Sequence, residues 1–149
     1  MLLLLGCRDA IPSSAGVVEA VVDGDTIDVR IGGREERVRL IGIDTPETYV
    51  ADGPPECYGP EASAFTATLL PVGSAVRLER DVVGRDDYGR LLAYVYRVDD
   101  GSLVNEAIAR EGYARPLTIE PNEAFAARFV AAAVAAEAAG LGLWGACGG

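Results

Sequence analysis

Three strand-like segments follow one another early in the chain, and they constrain its fold more than any other feature. Val17–Val22 is rich in β-branched residues, while Thr26–Ile31 and Glu36–Ile43 alternate apolar and polar residues. Asp-Gly-Asp at 23–25 and Gly-Gly at 32–33 are turn signals between these segments. Because short turns join antiparallel neighbours, the pattern predicts a three-stranded meander.

The rest of the chain mixes two more predicted strands with three predicted helices. The strands are Ala75–Arg80 and Leu91–Val98, and the helices are Pro60–Leu70, Leu103–Glu111 and Glu123–Ala139. The segment from Tyr49 to Gly59 is rich in glycine and proline and predicts a loop. Five strands with the first three consecutive, plus three helices, predict an α+β fold: a five-stranded OB-type barrel with packed helices.

The last two helices carry expected caps, and the last also carries an expected buried face. Ser102 and Asn122 precede the two helices as candidate N-caps. Within the last helix the larger apolar residues recur at helical spacing and predict a core-facing stripe rather than a ligand pocket. These residues are Phe125, Phe129, Val130 and Val134.

The amino-acid composition excludes several kinds of catalytic mechanism and metal site. The 149 residues include no histidine and no lysine, so all thirteen basic side chains are arginine. Catalytic triads with histidine, histidine-ligated zinc and lysine Schiff bases are therefore excluded. The net charge of −10 also argues against a broad basic surface for nucleic acid. Half the residues are hydrophobic, which fits one globular domain at this length.

Separated acidic and arginine residues supply the groups needed to hold a hard cation against a phosphate. Asp25 and Asp44 offer two carboxylates, and Glu47 a third within reach. Arg39 and Arg90 offer planar guanidinium groups that can bind phosphate oxygens. The combination indicates phosphodiester chemistry, with a carboxylate activating water beside a metal.

Each motif taken alone has a simpler interpretation. Asp-Gly-Asp is typical of a solvated hairpin turn, and Asp-Thr-Pro-Glu at 44–47 is typical of a helix N-terminus. Arg39 alternates with apolar neighbours as on an exposed strand face, and Arg90 follows Tyr-Gly as in a turn. Tyr88 would ordinarily be a half-buried strand residue. Only the ordered combination of motifs favours the functional interpretation.

The ordered motifs resemble the staphylococcal nuclease, or thermonuclease, family over about residues 15 to 144. They are Asp-Gly-Asp-Thr at 23–26, Arg-Leu-Ile-Gly-Ile-Asp-Thr-Pro-Glu at 39–47, Tyr-Gly-Pro-Glu-Ala at 58–62, Tyr-Gly-Arg-Leu-Leu-Ala-Tyr at 88–94 and Val-Asn-Glu-Ala at 104–107. Their order and gaps make the resemblance specific.

The resemblance implies a Ca²⁺-dependent hydrolase of DNA and RNA on an OB fold, which leaves 3′-phosphates. The family's calcium ligands correspond to the carboxylates of Asp25 and Asp44 and the main-chain carbonyl of Thr45. Its catalytic residues correspond to Arg39, Glu47 and Arg90. The tyrosine that packs beside the nucleotide corresponds to Tyr88.

Three departures from the family pattern predict weaker nucleotide binding. Asp87 replaces a lysine before the Tyr-Gly-Arg motif, and the loop at 49–57 carries Asp52 and Glu56 in place of lysines. The segment Pro116–Ile119, which includes Leu117, has no aromatic residue where the family has tyrosines. Since these groups mainly bind the substrate in its ground state, we expect weaker substrate binding, seen as a higher KM, with catalysis retained.

The N-terminal sequence suggests export with a lipid anchor. Leu4-Leu5-Gly6-Cys7 resembles the bacterial lipobox, in which the cysteine is lipidated. We therefore predict a partial lipoprotein signal and tether over residues 1–14, a nuclease-like domain over 15–146, and membrane anchoring through Cys7. The apolar run is shorter than an ordinary signal segment, so an accidental match is the alternative.

The two remaining cysteines lie far apart in the sequence. With Cys7 acylated, Cys57 and Cys147 form an even pair, which predicts a disulfide in an exported protein. Two free thiols in a cytosolic protein are the alternative.

The sequence thus leaves three functional hypotheses. The favoured one is a monomeric, exported bacterial Ca²⁺-dependent nuclease that takes DNA and RNA as substrates. The second is a catalytically weak or vestigial OB-fold module that binds nucleic acid, and the third is a calcium-stabilised surface lipoprotein. A merely structural calcium site would not need Arg39 and Arg90 to converge on it.

Overall fold

In the computed structural model, which describes residues 15–148, the first three strands form the predicted meander. Strands β1 (Ala15–Asp23), β2 (Thr26–Ile31) and β3 (Arg34–Leu40) pair antiparallel in sequence order. Alternation along β3 buries Val38 and Leu40 completely. The turn signals and the two-residue periodicity therefore identified the correct partners.

The third strand is shorter than predicted because the chain bends at Gly42. This glycine has φ 83°, and a Cβ there would lie 2.3 Å from the Phe129 ring. Beyond the bend, β4 (Gly42–Asp44) leaves β3 and pairs with β7 (Arg115–Leu117) in a separate two-stranded sheet. The prediction of one continuous strand over Glu36–Ile43 is wrong at this point.

Strands β5 (Ala75–Glu79) and β6 (Leu91–Arg97) close the barrel. The strand order is β1-β2-β3-β6-β5, with β5 returning to β1 and with β3 and β6 parallel. Apolar side chains from all five strands fill the interior: Val18, Ile27, Val29, Val38, Leu40, Val76, Leu78 and Val95. The five-stranded α+β OB barrel is confirmed, and closure leaves no long free edge.

The described residues contain the three predicted helices and one short addition. They are α1 (Gly59–Leu69), α2 (Val104–Arg110), α3 (Ala126–Ala138) and α4 (Leu143–Ala146). A four-residue helix is too short for periodicity to reveal, which is why α4 was not predicted. Within 15–148 no helix has the length and apolarity needed to cross a bilayer.

Both predicted N-caps are wrong because their side chains bind elsewhere. Asn122 accepts a hydrogen bond from the Val83 N–H at 2.8 Å and donates one to the Val83 carbonyl at 3.0 Å, while α3 begins only at Ala126. The Ser102 hydroxyl donates to Asp100 at 2.7 Å. Such alternative partners compete with capping.

The buried face of α3 also differs from the prediction. Phe129 is buried and Phe125 partly buried, but Val130 and Val134 are 42% and 57% exposed. Alanines at 133 and 136 take their place in the interface, where α3 packs against α2. Val130 and Val134 each come one residue after a buried residue, and one residue is a rotation of about 100° around the helix. Small alanines allow close packing there, a choice that hydrophobicity alone did not reveal.

Asn105 joins α2 to the bend that separates β3 from β4. Its side chain is fully buried, and its amide nitrogen donates to the Ile41 carbonyl at 2.8 Å. Its amide oxygen accepts from the Val95 N–H at 2.9 Å. Since Ile41 lies between Arg39 and Asp44, this buried contact fixes the backbone from which both side chains extend.

The structure places Cys57, in the loop before α1, beside Cys147, just after α4. The two sulfur atoms are bonded, and the cysteine Cα atoms lie 5.8 Å apart. The oxidation state in the cell stays a prediction, as does lipidation of Cys7, which lies outside the described residues.

Removing this cross-link should lower the free energy of unfolding by about 4 to 5 kcal/mol, because it closes a loop of 90 residues. The comparison is urea unfolding of the wild type and the Cys57→Ser/Cys147→Ser variant under oxidising conditions. Cys7→Ser is the matched control and should leave the midpoint unchanged. Equal midpoints for the wild type and the double variant would show that the thiols are free.

Candidate active site

Five of the predicted site residues line one open cavity of about 690 Å³. They come from the β1–β2 turn, strand β3, the loop after β4 and the segment before β6. They are Asp25, Arg39, Glu47, Tyr88 and Arg90. Asp44 and Thr45 adjoin these residues: the Asp44 carboxylate contacts Arg39, and the Thr45 N–H donates to Asp25.

Asp25 lies in the tight turn between β1 and β2, and it is buried. One carboxylate oxygen accepts the Thr26 hydroxyl at 3.1 Å, and the other accepts the Thr45 N–H at 3.0 Å. Gly24 allows this approach, because a Cβ there would lie 2.7 Å from the Thr45 hydroxyl oxygen. The Asp-Gly-Asp turn is therefore packed against the second motif and is not a solvated hairpin.

Arg39 extends from β3 between the two predicted calcium-binding carboxylates. Its Nη2 lies 3.1 Å from Asp25 and 3.4 Å from Asp44. Its Nη1 donates to the carbonyls of Ile43, at 3.0 Å, and Leu40. With its side chain only 14% exposed, Arg39 is not a solvated strand residue. The backbone bend after β3 therefore fixes the guanidinium in place.

Asp44 ends β4 with its carboxylate half exposed. Burial raises the pKa of Asp44, and the nearby Asp25 carboxylate raises it further, against the opposing effect of Arg39. Both burial and the Asp25 charge disfavour the ionised form of this carboxylate. A bound cation would favour the ionised form.

The donor set at this position fits Ca²⁺. Asp25, Asp44 and Thr45 provide oxygen atoms, and the buried Thr45 hydroxyl oxygen has no hydrogen-bond partner within 15–148. Among those residues, no three acidic or cysteine side chains cluster closely enough to hold a metal by themselves. A cation here would need backbone carbonyl and water ligands as well, which calcium accepts in its flexible shell.

Glu47 follows β4 in an irregular segment, so the helix start suggested by Asp-Thr-Pro-Glu is not formed. A hydrogen bond with Asp23 and burial raise the pKa of Glu47 to about 7, with further contributions from Asp25 and Asp44. In the metal-free protein, Glu47 can thus take up and release a proton near neutrality.

Asp23 is a supporting residue that the sequence analysis did not assign to the site. Its carboxylate accepts the Thr48 hydroxyl at 2.7 Å and the Gly24 N–H at 3.0 Å. It therefore fixes the loop that carries Glu47. Its position in the Asp-Gly-Asp turn, two residues from Asp25, was the available signal.

Arg90 precedes β6 and is positioned by Asp86, which the sequence analysis also missed. The Nε of Arg90 donates to Asp86 at 2.7 Å, and its backbone N–H donates to the same carboxylate at 2.9 Å. The Arg90 side chain held by this pair lines the active-site cavity. The acid four residues before an arginine was a signal, although an ambiguous one.

Tyr88 is 87% exposed at the cavity rim, with its ring 5.7 Å from the Arg90 guanidinium carbon. It is not the half-buried strand residue of the simpler interpretation. That description fits Tyr96 of β6, which is partly buried, whereas Tyr94 is fully buried and its hydroxyl donates to Asp81 at 2.5 Å.

A second cavity of about 380 Å³ adjoins the first and shares Arg39, Tyr88 and Arg90 with it. Its other walls are mainly aliphatic: Ile41, Ile43, Val83, Leu92, Leu117 and Ile119. Asp87 and Glu120 also line it. Two of the three departures from the family pattern, at Asp87 and at Pro116–Ile119, therefore lie beside the predicted catalytic residues.

Comparison with known proteins agrees with this arrangement. The family model described as staphylococcal nuclease homologue matches residues 37–146. The thermonucleases of Staphylococcus intermedius and Staphylococcus hyicus are 42% and 41% identical to this chain. These matches cover 86% and 83% of the chain, and 74% and 72% of the relatives.

Endonuclease YncB of Bacillus subtilis is 38% identical over 85% of the chain and 60% of its own length. The region matched by the family model includes the second half of β3, the bend at Gly42, Glu47 and Arg90, and hence most of the cavity wall described above. Together with the closed five-stranded barrel, these matches show that the chain belongs to the staphylococcal nuclease family.

Proposed function

We propose that this protein is a calcium-dependent nuclease that hydrolyses phosphodiester bonds of DNA and RNA and leaves 3′-phosphate ends. The observation that carries the proposal is the convergence of Arg39, Glu47 and Arg90 on one cavity beside Asp25 and Asp44. Family membership supports a hydrolytic nuclease, since the matched relatives are named thermonuclease and endonuclease.

Each side chain has a distinct part in the hydrolysis. Glu47 accepts a proton from water as the water oxygen attacks phosphorus. The bond from phosphorus to the 5′ oxygen breaks, that oxygen takes a proton from solvent water and leaves as a hydroxyl, and Glu47 returns its proton to solvent. Arg39 and Arg90 donate hydrogen bonds to the phosphate oxygens that gain negative charge. Calcium bound at Asp25, Asp44 and the Thr45 carbonyl would supply positive charge beside those oxygens.

The geometry favours this function over a vestigial or structural module. A calcium site that only stabilised the fold would require Asp25 and Asp44 but not Arg90. Arg90 lies on a separate segment of the chain, where Asp86 holds its guanidinium group. Glu47 likewise lies on the cavity wall and is held through Asp23.

We also propose that the protein acts outside the cytoplasm. The proposal rests on the Cys57–Cys147 pairing and on the lipobox-like sequence ending at Cys7. Labelling of the protein in its own cell with a lipid precursor, with Cys7→Ser as control, tests the anchor. Absence of label in the wild type would contradict anchoring.

Calcium should raise the thermal stability of the protein, because it binds the folded site and not the unfolded chain. At a concentration 100 times Kd the expected gain is about 2.7 kcal/mol. The measurement is thermal unfolding in chelator and in increasing calcium. Asp44→Asn should abolish the gain with little effect in chelator, since this side chain is half exposed. Glu137→Gln, an acid on the exposed face of α3, is the matched control and should retain the gain.

Product analysis tests the proposed reaction. Digests of single-stranded DNA and of RNA should yield 3′-phosphate and 5′-hydroxyl ends, and chelator should stop the reaction. Products with 5′-phosphate and 3′-hydroxyl ends would contradict cleavage of the bond to the 5′ oxygen. A folded, calcium-binding protein that cleaves neither substrate would favour the structural module.

A further inference from the structure

A third cavity, of about 340 Å³, lies between the β2–β3 hairpin and the connection from β5 to β6. Three arginines and one glutamate line it: Arg34, Arg80, Arg85 and Glu36. Its floor is apolar: Ile31, Leu78, Leu91, Leu92 and Ala93. These walls carry two net positive charges in a chain whose net charge is −10. The acids and arginines that line each of the other two cavities balance.

Two of these arginines have no carboxylate partner. Within residues 15–148, nine of the twelve arginines form an ion pair with an acidic side chain. The three exceptions are Arg34, Arg80 and Arg115, and the last of these stacks over Trp144. Both remaining unpaired guanidinium groups of the described residues therefore lie at the third cavity, whose lining is positive.

The third cavity is held in shape by backbone and side-chain contacts. Arg80 lies across Gly84, where a Cβ would come within 1.9 Å of its Nη2 atom. Arg85 binds both carboxylate oxygens of Glu36, at 2.9 and 3.1 Å, and donates to the Gly89 carbonyl at 2.8 Å. Glu36 is thereby committed to Arg85, which leaves Arg34 and Arg80 available for an external anion.

The three cavities adjoin one another through shared lining residues. The third cavity shares Arg85 and Leu92 with the second, and the second shares Arg39, Tyr88 and Arg90 with the active site. Arg90, Arg85 and Arg80 therefore lie along a row of neighbouring cavities that leads away from the active site.

We propose that the third cavity is a phosphate-binding subsite for a single-stranded nucleic acid, at a distance from the bond that is cleaved. This inference rests on the proposed nuclease function. Arg34 and Arg80 would bind backbone phosphates, and the apolar floor would contact sugar or base. A single strand fits better than a duplex, because the row spans three cavities and a duplex resists bending on this scale.

The test compares Arg34→Gln/Arg80→Gln with the wild type on a 20-nucleotide single strand and on a dinucleotide-sized phosphodiester. At about 0.1 M salt, loss of two phosphate contacts should raise KM for the long strand by about 25-fold, at unchanged kcat. The slope of log KM against log salt should fall by about 1.4. The dinucleotide should be cleaved as by the wild type, since it does not reach the third cavity.

Arg110→Gln/Arg128→Gln is the matched control, because it removes the same charge from two exposed, ion-paired arginines on α2 and α3, and no residue of these helices lines the third cavity. It should leave KM for the long strand within about threefold of the wild type, since salt screens exposed charges that do not contact the strand. Gly84→Ala keeps all charges but displaces the Arg80 guanidinium, so it should raise KM for the long strand only. Equal effects of the two double variants, or an equal loss on the dinucleotide, would overturn the subsite.

Binding of a fluorescent 20-nucleotide strand in chelator separates this inference from the nuclease proposal. If the wild type binds the strand without cleaving it, and the Arg34→Gln/Arg80→Gln variant binds it at least tenfold more weakly, the subsite stands while the proposed activity fails. If both proteins bind the strand equally, the subsite is wrong whatever the activity. Preference of this surface for anionic lipid vesicles over the strand would also overturn it.

Discussion

Replacing Glu47 with glutamine is expected to lower kcat for DNA cleavage by about 10² to 10⁴-fold, with a small change in KM. Glutamine keeps the shape of the side chain but cannot accept the proton of the attacking water. Asp23 stays beside it in the variant and continues to hold the loop, since its Oδ1 accepts hydrogen bonds from Thr48 and Gly24. The loss should therefore fall on the chemical step.

Single-turnover cleavage of a labelled strand in saturating calcium measures that step directly. Glu137→Gln, which makes the same charge change on the exposed face of α3, should retain the wild-type rate. A Glu47→Gln rate within about threefold of the wild type would place the general base elsewhere.

Replacing Arg39 with alanine should cost both activity and stability, whereas replacing Arg90 should cost activity alone. Each substitution removes a hydrogen-bond donor to the phosphate, and this loss should lower kcat by about 10²-fold or more. Arg39 also compensates Asp25, whose side chain is 5% exposed, so its loss leaves a buried charge unpaired at a cost of about 3 kcal/mol. The pair of Arg90 with Asp86 is more accessible, and its loss should cost less than about 1 kcal/mol.

Urea unfolding in chelator, run beside single-turnover cleavage, separates these two effects. Chelator is needed because a cation bound at Asp25 would replace the missing guanidinium charge. Equal stability of the Arg39→Ala and Arg90→Ala variants would contradict the buried pairing of Arg39. Wild-type activity in either variant would contradict its catalytic role.

The barrel was predictable because its strands alternate clearly and its turns carry strong local signals. The features that were missed depend on contacts distant in sequence. Gly42 ends β3 because the Phe129 ring occupies the space beside it, and Asn122 binds Val83 and not the start of α3. No local pattern reports either contact.

The site was predictable to the extent that its residues sit in distinctive motifs at strand ends. The β1–β2 turn, the bend after β3 and the start of β6 meet at one end of the barrel, so Asp25, Arg39 and Arg90 converge. Asp23 and Asp86 were missed because acids that orient a neighbour look like surface residues in a sequence. Only their hydrogen bonds to the site identify them.

The aliphatic lining of the second cavity bears on substrate affinity. Leu117 and Ile119 bring apolar surface but no aromatic ring to the space beside Tyr88, and Asp87 adds a negative charge. The sequence prediction of a weak KM with retained kcat fits this lining. A subsite at Arg34 and Arg80 would recover affinity for longer strands, which short substrates could not use.

The measurement that tests the central claim most directly is digestion of single-stranded DNA by the purified full chain, with calcium or with excess chelator, beside Glu47→Gln. Cleavage that requires calcium and falls by at least about 10²-fold in the variant is the predicted result. Cleavage that persists in chelator, or that is equal in the wild type and the variant, would contradict hydrolysis by this cavity.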